Sequence, residues 1–169
     1  MLYREFSDQE SIDQQYNPLS TASDAGDIIA GWEQKSALAR KVLKGHLGLR
    51  FGPTVSEFLD IFPSGNAKAP LHLFIHGGYW RRFNARDFSF VAPGLVEAGI
   101  SVAVMNYALC PSVTVREIVR QTRSAIFWLM ENAAKYGSDP AALSISGHSA
   151  GGHLLAMALS TEWPRDYGI

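Results

Sequence analysis

The chain has 169 residues, 47% of them hydrophobic and 18% charged, with a formal net charge of −1. This is the composition of a globular protein with chain enough for a sizeable core, and it excludes a disordered or fibrous class. Near-neutral charge without a Lys/Arg-rich block argues against nucleic-acid or anionic-membrane partners. The one cysteine, Cys110, cannot form an intrachain disulfide and gives no support for an oxidising compartment. The polar start "MLYREFSDQESIDQQYNP" does not read as a signal peptide. Apolar runs such as "ISVAVM" fall far short of the roughly 20 residues needed to cross a bilayer. A cytoplasmic protein without membrane contact is the expectation.

No internal repeat or low-complexity segment is evident. Residues 1–22 read as irregular, with Asn17-Pro18 as a turn. Ser23 or Asp24 is placed to cap a helix to about Leu43. In it Ile28, Ile29, Trp32, Ala37, Leu38 and Val42 recur at roughly helical spacing, with basic residues at the end. Gly45 and Gly48 break it. "LRFG" and "VSEFLDIF" (55–62) read as strands. "LHLFIH" (71–76) is a strand closed by Gly77-Gly78. A helix is expected over residues 86–98, closed by Gly99. "ISVAVMNY" (100–107) is a continuous apolar strand, buried on both faces. Residues 115–136 form the clearest helix, with Val115, Ile118, Val119, Thr122, Ala125, Ile126, Leu129, Met130 and Ala133 on one stripe. Gly137 ends it, and Asp139-Pro140 is a turn. "ALSIS" (142–146) is a short apolar strand, and residues 150–160 form a helix. Apolar strands alternating with helices predict an α/β fold, a mostly parallel sheet with helices on both faces. One domain is expected over 1–169, with a helical or irregular lead (1–48) and a core (49–169).

Two motifs carry chemistry. Gly147-His148-Ser149-Ala150-Gly151 matches G-x-S-x-G, with a strand before it and a helix after it. A serine held on such a turn has its hydroxyl thrust above the sheet. The residues two before and two after crowd the turn and must lack side chains. The Ala150 N–H and the helix N-terminus then face a developing oxyanion. A Gly-rich turn with a capping serine would show the same five residues. The second motif answers that alternative: His76-Gly77-Gly78-Tyr79-Trp80 directly follows "LHLFI", where a loop supplies the second oxyanion donor.

Together, His-Gly-Gly-Tyr-Trp, Gly-His-Ser-Ala-Gly-Gly-His and "NYALCP" (106–111) resemble the α/β-hydrolase superfamily, in its kynurenine formamidase (arylformamidase) and esterase branch. The likeness spans roughly residues 50–160. It implies the α/β-hydrolase fold, with Ser149 as nucleophile and Gly77, Gly78 and Ala150 as the oxyanion hole. Tyr79 and Trp80 would line the acyl or aryl pocket. The implied reaction is hydrolysis of a carboxylic ester or an N-formyl amide such as N-formylkynurenine, through an acyl-enzyme and without a cofactor. A general short-acyl carboxylesterase is the alternative.

The triad order in this fold is Ser, acid, His. Only His153, Glu162 and Asp166 follow Ser149, and none sits where the base and its orienting acid belong. His153 is expected beside the turn, packed or capping rather than above the hydroxyl. His148 is expected to pack on a neighbouring strand and His76 to brace the oxyanion loop; His72 and His46 read as ordinary. No spacing suggests a metal site. Arg81-Arg82 are either selectors of an anionic substrate or solvated. Phe83, Phe88 and Phe90 either build an aryl pocket or pack the core. Compared with the family, the chain reads as truncated after the helix that follows the serine, with another strand due at "STEWPRDYGI". The "LSIS" strand would then be an open apolar edge. A homo-oligomer or a further C-terminal segment is expected to cover it; otherwise the chain is an inactive fragment or an interaction subunit.

Overall fold

The computed structural model describes residues 4–17 and 22–169. Part of the lead expected to be irregular is helical: α1, Gln9–Tyr16, is capped by the Asp8 carboxylate, which accepts from the Ser11 N–H at 2.8 Å. It buries no residue, so it lacks the apolar stripe that would reveal it. Pro18 of the expected turn lies outside the described residues.

Helix α2, Ala25–Val42, forms where expected, but a different face is buried. Ser36 and Ala39 are enclosed, whereas Ile28, Leu38 and Val42 are exposed. The reason is polar docking. Ser36 Oγ donates to the Asp87 carbonyl at 2.8 Å and accepts from the Phe90 N–H at 3.1 Å. Arg40 bonds the Arg86 carbonyl and, at 3.0 Å, Ser89 Oγ. Trp32 adds an aromatic cluster with Phe83, Phe88 and Phe90.

Five strands follow: β1 His46–Arg50, β2 Phe58–Phe62, β3 Ala69–Ile75, β4 Ser101–Met105 and β5 Ser138–Gly147. Their order is β1-β2-β4-β3-β5. β3 lies parallel to both β4 and β5, and β2 and β1 extend the sheet antiparallel beyond β4. The continuous apolar run "SVAVM" is buried at all five positions, as a central strand requires. β5 begins four residues earlier than expected and shifts register between Pro70 and Leu71. It ends the described sheet, with β3 as its only neighbour.

The two sheet faces bury separate cores. Leu71, Leu73, Ile75, Ala103 and Met105 pack with helices α4 (Val115–Asn132) and α5 (Ala150–Leu159). Val102, Val104 and Phe62 pack with Ala85, Phe88 and Ala92 on the other face. The single helix expected there is instead a 3₁₀ helix, Ala85–Val91, running into α3, Ala92–Glu97. Pro93 near the start of α3 has no N–H to give a preceding turn, so the helix begins anew there. α4 keeps its predicted stripe and tightens into a 3₁₀ turn before Gly137, whose φ of 79° stops it. The segment expected to open a strand is a short helix, α6, Trp163–Tyr167, with Pro164 in its first turn and Arg165 paired to Glu162 and Asp166. Among the described residues no helix is long and apolar enough to cross a membrane.

Candidate active site

β5 ends at Gly147 and α5 begins at Ala150, so Ser149 is the joint between them. Its φ of 52° and ψ of −114° lie where a residue bearing a Cβ is strained. Such strain persists only where the surroundings impose it, and here both flanking glycines are imposed upon. A Cβ on Gly147 would collide with the Gly151 backbone, and one on Gly151 with the Ile75 carbonyl. The His148 N–H reaches back to the Ile75 carbonyl at 3.1 Å, which sews the turn to β3. Ser149 makes no side-chain cap bond, and its residue is exposed. Its exposed side chain therefore carries no cap bond at the carboxyl end of β5.

The loop after β3 arrives directly beside it. A Cβ on Gly77 would stand 2.8 Å from the His148 carbonyl oxygen and 3.2 Å from Ser149 Cβ, so only glycine brings the backbone this close. Gly78 has a φ of 108°, and Tyr79, Trp80 and Phe83 also carry positive φ. The loop is held by the Arg81 and Arg82 N–H groups on the Gly78 carbonyl, and by Cys110 N–H on the Trp80 carbonyl at 2.8 Å. Among the described residues the N–H groups of Gly77, Gly78 and Ala150 donate to no acceptor. The elbow and the loop thus meet, and three unspent donors lie on the two segments that flank Ser149.

Behind the loop, His76 is fully buried between Phe88 and Tyr107, with ring centroids 5.7 and 4.1 Å away. Burial pushes its pKa down to about 4, against a smaller upward effect of its bond to the Gly77 carbonyl. The expected bracing role of His76 matches this placement. His148 departs from expectation: it is exposed, and its ring lies against Gly77 rather than on a neighbouring strand, because the sharp turn swings it to the outer surface.

Tyr79 is 67% exposed and meets Trp80 edge-on at 5.6 Å. Trp80 is half-buried, its ring perpendicular to that of His153 at 5.2 Å. The His153 backbone N–H bonds the Ser149 carbonyl at 3.2 Å. Among the described residues no side chain hydrogen-bonds Ser149 Oγ. Glu162 and Asp166 are engaged with Arg165. His72 bridges Ser144 and Ser146 across β3 and β5, and His46 packs on Tyr136. Phe83, Phe88 and Phe90 pack with Trp32 in the core rather than at the serine. No group of three or more His, Cys, Asp or Glu among the described residues is arranged to hold a metal ion.

Two features were not foreseen from the sequence. An open groove of about 690 Å³ runs between α4 and α5, lined by Val115, Arg116, Arg123, His153 and Met157 among others. Its wall carries a carboxylate–guanidinium network: Arg120 bonds Glu117 at 2.7 Å and the buried Glu57 at 2.5 Å. Burial works to raise the Glu57 carboxyl, but hydrogen bonds from Arg120 and Thr54 outweigh it and hold it below its ordinary value. The second feature is Tyr107, whose hydroxyl bonds the His76 carbonyl at 2.8 Å. Its position at the end of an apolar strand was the only sequence signal for either.

The BD-FAE family matches residues 59–164. Kynurenine formamidase of Danio rerio is 29% identical over 163 residues, covering 92% of this chain and 54% of that protein. Kynurenine formamidase of Drosophila melanogaster is 39% identical over 114 residues, 66% of this chain and 37% of that protein. A crystal structure from Silicibacter sp. TM1040, described as a candidate thioesterase, is 35% identical with a TM-score of 0.71, covering 83% of this chain and 51% of that one. The chain spans about half the length, or less, of the curated relatives it matches.

Proposed function

Because this chain belongs to the BD-FAE family, in the kynurenine formamidase and esterase branch of the α/β-hydrolases, we propose that it is a serine hydrolase of N-formyl arylamines. One observation carries the reading: Ser149 is held strained at the strand-to-helix turn, its side chain without a hydrogen bond among the described residues and with the Gly77 backbone against its Cβ.

In this reading Ser149 Oγ attacks the formyl carbon. The carbonyl oxygen takes the negative charge and is received by the N–H groups of Ala150, Gly77 and Gly78. Each such donor contributes about 10²–10³-fold in rate. The serine proton passes to a base and then to the departing arylamine nitrogen, and the C–N bond breaks. Water hydrolyses the formyl-serine to formate. The His153 ring packs edge-on against Trp80 and makes no hydrogen bond to Ser149 Oγ, so it is not assigned as that base. Among the described residues no histidine or carboxylate hydrogen-bonds Ser149 Oγ, so the base and its orienting acid are not assigned to residues here. Tyr79 and Trp80 contact the aryl group.

A second reading, a short-acyl carboxylesterase, is favoured by the openness of the site. Tyr79 is largely exposed and Trp80 is packed on His153, so no closed aryl slot stands beside the serine among the described residues. The test is an intact-mass spectrum before and after a fluorophosphonate probe. One adduct on the protein and none on Ser149→Ala is the expected outcome. Faster hydrolysis of N-formylkynurenine than of p-nitrophenyl acetate then separates formamidase from esterase. Absence of an adduct on the 169-residue chain overturns independent hydrolase activity and leaves an interaction subunit or an inactive fragment.

A further inference from the structure

The oxyanion loop contains two successive glycines, and glycine peptides rotate with little steric resistance. A rotated Gly77 or Gly78 peptide would aim a carbonyl, not an N–H, at the substrate oxygen. Something must hold both planes, and the buried side of the loop shows what does. The Tyr107 hydroxyl donates to the His76 carbonyl at 2.8 Å, with the Gly77 carbonyl oxygen 3.3 Å away. His76 Nδ1 lies 2.8 Å from the Gly77 carbonyl oxygen; a carbonyl only accepts, so Nδ1 carries the proton. The Gly78 carbonyl is taken by the Arg81 and Arg82 N–H groups, each at 3.0 Å. Three consecutive carbonyls are therefore anchored. In a trans peptide the N–H points opposite to the carbonyl of the same plane. Anchoring the carbonyls of His76 and Gly77 thus directs the N–H groups of Gly77 and Gly78 away from the Tyr107 hydroxyl and the His76 ring that hold those carbonyls.

We infer that Tyr107 is a positioning residue for the oxyanion hole, acting with His76 to fix the Gly77 and Gly78 peptide planes. The inference rests on the reading of that loop as the oxyanion hole. Tyr107 is suited to the task. Its side chain is buried and its ring lies flat on His76, 7° from parallel, so the hydroxyl has one direction to go. Burial pushes its ionisation upward, which keeps it a donor throughout the neutral range. His76, stripped of its charge by burial, holds its proton toward the loop, while Nε2 is buried without a partner. A histidine present only for packing has no need of the Nδ1 bond.

Two conservative variants test this. Tyr107→Phe keeps the ring on His76 and removes the hydroxyl; His76→Phe keeps a flat ring in the stack and removes the other donor. Thermal unfolding reports which variants fold, and either one suffices. The ligand-free reading is a crystal structure of the folded variant. A rotated or doubled Gly77 or Gly78 peptide is expected, and two unchanged planes overturn the inference. The functional reading uses phenylboronic acid, whose tetrahedral serine adduct carries an oxyanion. Its affinity is expected to fall about 10- to 100-fold, below the full loss of a donor. For p-nitrophenyl acetate, kcat is expected to fall while KM stays, because the donors act only on the developing charge. In ¹⁵N-labelled wild type, adduct formation should move the Gly77 and Gly78 amide resonances. Unmoved amides would sink the oxyanion-hole reading itself. Moved amides with an unweakened variant would sink only the role of Tyr107 and His76.

Discussion

Acid should destabilise this protein through His76 before its carboxylates titrate. The imidazole is fully buried and its pKa lies at about 4, down from 6.5, chiefly because burial disfavours the charged ring. The unfolded chain therefore binds a proton at this site before the folded one does. Its contribution is fully present above pH 6.5 and is lost as pH falls toward 4. Between pH 7 and 4.5 the two titration curves differ by about 2–2.5 kcal/mol, at about 1.4 kcal/mol per pH unit per proton. His72, also lowered by burial, adds loss of the same sign. Asp60, raised by burial, opposes it, because the folded state takes up its proton first. Both remain in His76→Phe, so the comparison isolates one ring. Urea unfolding at half-unit pH steps is the assay, read as the free energy of each protein relative to its own value at pH 7. The wild type should fall further than His76→Phe by about 2 kcal/mol at pH 4.5. Parallel pH profiles would refute the reasoning, and with it the claim that the ring is held neutral.

Other perturbations have equally definite outcomes. Gly151→Ala drives a Cβ into the Ile75 carbonyl, a backbone atom that cannot swing aside. A loss of about 1–3 kcal/mol is expected in thermal or urea unfolding, together with loss of probe labelling at Ser149. Arg120→Met leaves the Glu57 carboxylate buried without its guanidinium. Because the Arg120 side chain is 42% exposed and partly screened, about 2 kcal/mol of destabilisation is expected, below the cost of breaking a fully buried pair. Adding Glu57→Gln should restore much of it, and a double-mutant cycle with no coupling would contradict the network.

The contrast between α5 and α2 explains what was legible. The serine turn was readable because its demands are local. A crowded strand-to-helix joint needs glycine two residues before and after, whatever else the chain does, and Gly147 and Gly151 satisfy it. The two glycines after β3 were readable for the same reason. Strands β3 and β4 and helix α4 announced themselves by apolar period and by Gly137. α2 was located correctly, yet its buried face was misread. Periodicity finds apolar residues, whereas the face is held by Ser36 and Arg40 on carbonyls some fifty positions away. The helices α1 and α6 bury no residue and so left no apolar stripe to read.

By itself, then, the sequence determined the alternation of strands and helices and the two glycine motifs, because backbone sterics and hydrophobic period act over a few residues. Tertiary structure decided which segments meet. It set Gly77 against Ser149, turned His153 to Trp80, threaded Arg120 onto Glu57 and brought the Tyr107 hydroxyl to the loop carbonyls. Those partners are 30 to 73 positions apart. Nothing local selects among the many polar groups in the chain; burial does, because a group removed from water must find its hydrogen bond wherever the fold has placed one.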